Sequence, residues 1–90
     1  MIEVIAGFEN VSRAIMAEQA LTEQGFDVRV MPMPSGIRAG CGFCLRFLPE
    51  DIEKAAAFLR ERGLSIKEAW EKKELQFQQS YRKVVIHEGQ

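Results

Sequence analysis

DVRVMPM (residues 27–33) and FCLRFL (residues 43–48) decide the fold, because both alternate with the period of two that is typical of β-strands. The prolines at positions 32 and 34 end pairing after the first stretch. Between the two stretches, SGIRAGCG (residues 35–42) contains three glycines and no apolar periodicity. We expect it to be a loop that can adopt positive φ, and we call it the thiol loop because Cys41 lies at its end.

Outward from these strands, the N-terminal part of the chain predicts a buried strand followed by a helix. Residues 2–8 are rich in β-branched and apolar side chains and include Gly7, which bounds the strand. Asn10 is a suitable N-cap, apolar residues then recur at helical spacing, and Gly25 suits the position after the helix.

The second half predicts another helix and another strand. Pro49 suits a first helical turn, an apolar stripe follows from Ile52 to Leu59, and Gly63 ends the helix. Residues 64–69 can form a fourth strand.

The resulting order, β-α-β-β-α-β, predicts an α+β fold of the ferredoxin-like split βαβ class. We expect one domain over residues 1–90, with residues 1–69 as the core and residues 70–90 as a C-terminal extension. Both helices should cover one sheet face, with the strands that begin at Ile2 and Phe43 in the centre. For the extension we expect a short helix with a strand-like end. Its aromatic residues Trp70, Phe77 and Tyr81 could form a partner surface, but aromatic residues at helical spacing favour a place in the core.

Composition and charge narrow the functional classes. The chain is 47% hydrophobic and 28% charged, as in ordinary globular proteins, and its net charge of −1 gives no footprint of a nucleic-acid binder. Its N-terminal apolar run is too short for a membrane span and lacks the basic region of a signal peptide, so we expect a cytoplasmic protein with no membrane partner. An open sheet face on so small a domain also predicts a homodimer.

Cys41 and Cys44 form a Cys-x-x-Cys motif, whose spacing permits a disulfide, a two-thiolate metal site or a nucleophilic thiol with a resolving partner. Structural zinc takes four ligands and the sequence offers only His87 besides the two cysteines, so we expect no metal site. A Cys-x-x-Cys metallochaperone therefore ranks third among the functions considered.

The two cysteines differ in their surroundings. Cys44 lies within a predicted strand, where it can be a small buried hydrophobe or a resolving thiol. Cys41 lies between two glycines, and nearby arginines would favour its thiolate. The predicted catalytic residues are thus Cys41 and Cys44, and the predicted substrate-binding residues are Arg38, Gly40, Gly42 and Arg46.

The segment MPMPSGIRAGCGFCLRF (residues 31–47) resembles the signature of the putative selenium/sulfur carrier protein-like family, and the resemblance extends over residues 2–69. It implies that Cys41 is the family cysteine, that Gly42 is its partner glycine, and that Pro32, Pro34 and Arg38 form the preceding loop. It implies no role for the cysteine at position 44, where an aliphatic or small residue is usual.

By this resemblance the protein is a carrier or accessory protein rather than an enzyme. It would hold sulfur or selenium on Cys41 as a persulfide or perselenide, use no cofactor, and exchange the atom with a donor enzyme and an acceptor protein. The alternative is a small interaction or regulatory module in which both cysteines only pack.

Overall fold

A computed structural model describes residues 2–34, 37, 42–75 and 78–86. Over these residues the protein is α+β, with two α-helices and a five-stranded antiparallel sheet in the order β2-β3-β1-β4-β5. The elements are β1 (Ile2–Gly7), α1 (Val11–Glu23), β2 (Val28–Pro32), β3 (Phe43–Phe47), a 3₁₀ turn (Pro49–Asp51), α2 (Ile52–Glu61), β4 (Glu68–Leu75) and β5 (Gln78–Val84).

The helix ends follow the predicted signals. The Asn10 side chain accepts a hydrogen bond of 2.9 Å from the backbone N–H of Arg13, which caps α1. Gly25 after α1 and Gly63 after α2 have φ of 89° and 72°, a left-handed conformation that glycine adopts without steric cost. Pro49 opens the 3₁₀ turn that leads into α2.

Both helices pack on one face of the sheet, as predicted. Their small and aliphatic residues meet the alternate side chains of the inner strands, since successive residues of a strand point to opposite faces. The buried members of this cluster are Val4, Ala6, Phe8, Ala14, Ala17, Leu21, Leu45, Phe47, Ala55, Leu59, Leu64 and Ala69.

The C-terminal third corrects the prediction. The fourth strand covers Glu68–Leu75 rather than residues 64–69, and the expected short helix is wrong, because Gln78–Val84 forms a fifth strand paired with β4. Ala69 and Trp70 are both buried, on opposite faces of the sheet, which a strand permits and one helical face does not.

The sheet therefore differs from the predicted four-stranded arrangement. β1 and β3 are neighbours inside it, as expected, but β4 is also an inner strand because β5 adds to its outer side. The α+β class is confirmed, while the sheet has one strand more than the split βαβ pattern. The extension therefore adds a strand to the edge of the sheet. It does not lie across the face that the helices leave uncovered.

Candidate functional site

The ends of the thiol loop are held together by the continuation of the β2–β3 pair. The backbone N–H of Met33 donates to the carbonyl oxygen of Gly42 over 2.9 Å, and that of Ile37 donates to Pro34 over 3.0 Å. A Cβ added at Gly42 would meet no heavy atom of the described residues within 4 Å. Arg38, Gly40 and Cys41 lie outside the described residues. The glycines on both sides of Cys41 predict that its sulfur is accessible, and this stays a prediction.

Cys44 is the second residue of β3, and its side chain is completely buried on the sheet face opposite the helices. It lies directly opposite Gly7 of β1 and Met31 of β2 in the strand register. Its Sγ is 3.8 Å from the carbonyl oxygen of Pro32, a long S–H···O hydrogen bond in which the thiol donates. The prediction that Cys44 is buried on a strand is confirmed.

A small apolar cluster covers Cys44, and we call it the second-face cluster. Its buried members are Ile5, Cys44 and Trp70, and partly buried hydrophobic residues pack around them: Met31, Met33, Ile37 and Tyr81. Met33 and Trp70 both pack over Gly7, where an added Cβ would lie at van der Waals distance, 3.5 Å, from the Met33 methyl and the Trp70 ring. The described end of the thiol loop and the extension thus meet over Cys44.

Arg46 lies on the same face as Cys44 but is engaged with carboxylates. Its guanidinium is 3.2 Å from Asp27 and 3.6 Å from Glu3, and the other oxygen of Glu3 is 3.7 Å from the ammonium of Lys72. Arg46 is four residues along the strand from Gly42, which corresponds to about 13 Å. Arg46, which was predicted to bind substrate at the thiol loop, therefore forms ion pairs at the far end of the sheet face opposite the helices.

The structure brings only part of the predicted site together. Gly42 and Cys44 lie at the base of the thiol loop, Arg46 is engaged elsewhere on the same face, and His87 falls outside the described residues. Sequence reasoning missed Ile5 and the covering role of Trp70. Alternation along β1 predicts that Ile5 lies on the other sheet face from Val4 and Ala6. Only the pairing of β4 with β1 brings Trp70 beside Ile5.

The described residues contain neither a membrane-spanning helix nor a metal-binding cluster. No helix among them is long and apolar enough to cross a membrane. Within the same residues, no group of three or more His, Cys, Asp or Glu side chains is arranged to hold a metal ion. The second finding leaves Cys41 and His87 aside, because both lie outside that part of the chain.

The chain resembles known proteins at the level of a family. It matches no curated protein and no solved structure. A family model does match residues 3–71, from β1 into β4, and it therefore includes both cysteines and both helices. Since this match covers well over half of the 90 residues, the chain belongs to the family described as Putative Se/S carrier protein-like.

Proposed function

We propose that the protein carries a sulfur or selenium atom on Cys41 and passes it between a donor enzyme and an acceptor protein. The observation that carries this proposal is membership of the carrier-like family over a match that includes the thiol loop. Two structural features support it. The base of the loop is fixed by the Met33–Gly42 hydrogen bond, and none of the described residues crowds the Gly42 position next to Cys41 in the sequence.

Loading would be a transfer without net oxidation. The Cys41 thiolate attacks the outer sulfur of a persulfide on the donor, the donor's S–S bond breaks, and the donor cysteine leaves as a thiolate. Cys41 then holds the persulfide with its proton. A perselenide would form in the same way, with selenium as the outer atom. The predicted roles of Arg38, Gly40 and Gly42 belong to this step, as groups that stabilise the anion and leave the sulfur open to a second protein.

We assign the Cys44 side chain a different role. Attack of its thiolate on the inner sulfur of the Cys41 persulfide would form a Cys41–Cys44 disulfide and release hydrosulfide. Burial under the second-face cluster restricts access of the Cys44 sulfur to the persulfide and so slows this release. Cys44 would then resolve the persulfide only slowly, which suits a carrier that must keep its atom until an acceptor arrives.

We further infer that the strands β1, β2, β3 and β4, together with the two helices, correspond to a ferredoxin-like unit, and that β5 is added to the edge of this unit. The support is the order β2-β3-β1-β4 of these four strands within the larger sheet. The domain would be one unit that functions in the cytoplasm, where cysteines are kept as thiols.

Mass spectrometry of the intact protein tests the carrier proposal. The protein is incubated with a cysteine desulfurase and cysteine, and with a selenocysteine-cleaving enzyme and selenocysteine. We expect the added mass of a sulfur or selenium atom on the wild type and on Cys44→Ser, and none on the matched variant Cys41→Ser. Absence of the added mass on wild type with either donor would contradict the proposal and favour a module in which the cysteines only pack.

A further inference from the structure

The two outer strands of the sheet differ in how their free edges are protected. On β2, the backbone N–H of Val30 donates to Oε2 of Glu18 on α1 over 2.9 Å. That N–H is bonded to a side chain rather than to β3, so it points out of the sheet, and the carboxylate occupies the place a further strand would need. Pro32 at the end of the strand has no N–H to offer. The β2 edge is therefore closed.

The β5 edge carries none of these protections. β5 has seven residues, contains no proline or glycine, and is mostly exposed. Within the described part of the chain, no side chain hydrogen-bonds to its backbone. The lysine and arginine that usually deter edge pairing are drawn toward β4 and away from the free edge, with Lys83 3.1 Å from Glu68 and Arg82 3.3 Å from Glu71. The outer N–H and C=O groups of β5 are thus ready to pair with another strand.

We propose that β5 pairs antiparallel with β5 of a second copy of this chain, across a twofold axis at Tyr81. Complete overlap of two Gln78–Val84 strands places Tyr81 opposite its own copy, Ser80 opposite Arg82 and Gln79 opposite Lys83. This register sets each cation against a neutral polar residue. The strand is therefore complementary to itself, which is what a symmetric interface requires.

Other registers are less favourable. A twofold axis at Arg82 or at Lys83 would place that cation directly opposite its own copy. Axes nearer the start of the strand avoid the clash but shorten the overlap. Strand length and charge together select Tyr81.

The assembly that follows is a continuous sheet with five strands from each copy. Its twofold axis is perpendicular to the sheet, so the helices of both copies lie on one side. β3, which follows the thiol loop, lies three strands from β5, at roughly 14 Å. Pairing would therefore leave the thiol loops clear of the interface, and it does not depend on the proposed carrier function.

Light scattering and sedimentation of the full chain in reducing buffer test the pairing. We expect a particle of twice the 10.2 kDa chain mass, dissociating on dilution. Gln79→Lys adds a positive charge directly opposite Lys83 of the other copy, and this contact occurs twice in the dimer. The substitution should raise the dissociation constant of the dimer by roughly two- to thirty-fold. The matched variant Gln79→Glu has almost the same shape and the opposite charge, so it should strengthen dimerisation. A monomer at every concentration, or equal dissociation constants for the two variants, would overturn the proposal.

Amide hydrogen exchange then identifies the surface. The outward N–H groups of residues 78–84 should exchange slowly above the dissociation constant and rapidly below it, while α2 amides change little. A dimer whose β5 amides exchange at the same rate at both concentrations would be held by another surface, and the proposal would be wrong. Neither result depends on sulfur loading, so failure here and failure of the carrier function are separate outcomes.

Discussion

The Trp70 ring of the C-terminal hairpin packs over Gly7 of β1, a residue that pairing with β3 places beside Cys44. A Cβ built on Gly7 would lie 3.5 Å from the Trp70 ring, and Gly7 is directly opposite Cys44 in the β1–β3 register. The indole thus lies over the row of the sheet that contains Cys44. Residues far apart in the sequence decide how well this cysteine is shielded.

Shielding should separate the two cysteines in alkylation experiments. With limiting iodoacetamide near neutral pH, we expect Cys41 to be modified first, because the Cys44 side chain is completely buried. Peptide mass spectrometry measures the modified fraction of each cysteine. In denaturant the difference should disappear, which is the control for intrinsic reactivity. Equal modification of both in the native protein would contradict the prediction.

Removing Cys44 should lengthen the lifetime of a loaded persulfide. After loading by a desulfurase and removal of the donor, Cys44→Ser should keep the added sulfur longer than the wild type, because no intramolecular thiol remains to release it. Hydrosulfide release over time is the measurement. The same lifetime in both proteins would show that Cys44 does not resolve the persulfide, and loading itself would be unaffected.

Truncating Trp70 should weaken the fold and expose Cys44 together. Trp70→Ala removes a nearly buried indole from the second-face cluster and should lower the free energy of unfolding by roughly 3–5 kcal/mol. Urea denaturation measures the loss, and Cys44 should be alkylated faster at the same time.

Trp70→Phe is the matched variant in case the alanine variant does not fold. It keeps an aromatic ring over Gly7, so its stability should fall less and Cys44 should stay better protected. If Cys44 were alkylated at the wild-type rate in a folded Trp70→Ala protein, the indole would not be its cover.

The Glu18–Val30 hydrogen bond should contribute measurably to stability. Glu18→Ala leaves the outward N–H of Val30 without its charged acceptor, and should cost about 1–2 kcal/mol in urea denaturation because the contact is partly buried. Glu23→Ala, at the exposed C-terminal end of the same helix, is the control and should change stability little. Equal effects of the two substitutions would mean that only general helix properties had changed.

The sequence alone determined the local elements of residues 2–63. β1, β2 and β3 have alternation or β-branched runs, α1 has the Asn10 cap, α2 follows a turn opened by Pro49, and a glycine follows each helix, so propensity and packing agree there. The segment on which the sequence resembles the family, residues 31–47, is also local. The place of Cys44 within a strand was also local, and cysteine is among the most buried residue types.

Only the tertiary structure decided the C-terminal hairpin and the surroundings of Cys44. Residues 70–84 fit one helical face and only their end, from Tyr81, also fits a strand, but pairing of β4 with the free side of β1 selected strands throughout. The partners of Arg46 were likewise unpredictable, because Glu3 and Asp27 come close to it only when β1, β3 and the start of β2 lie side by side. Local pattern specifies which way a side chain alternates, whereas strand order specifies which side chains it meets.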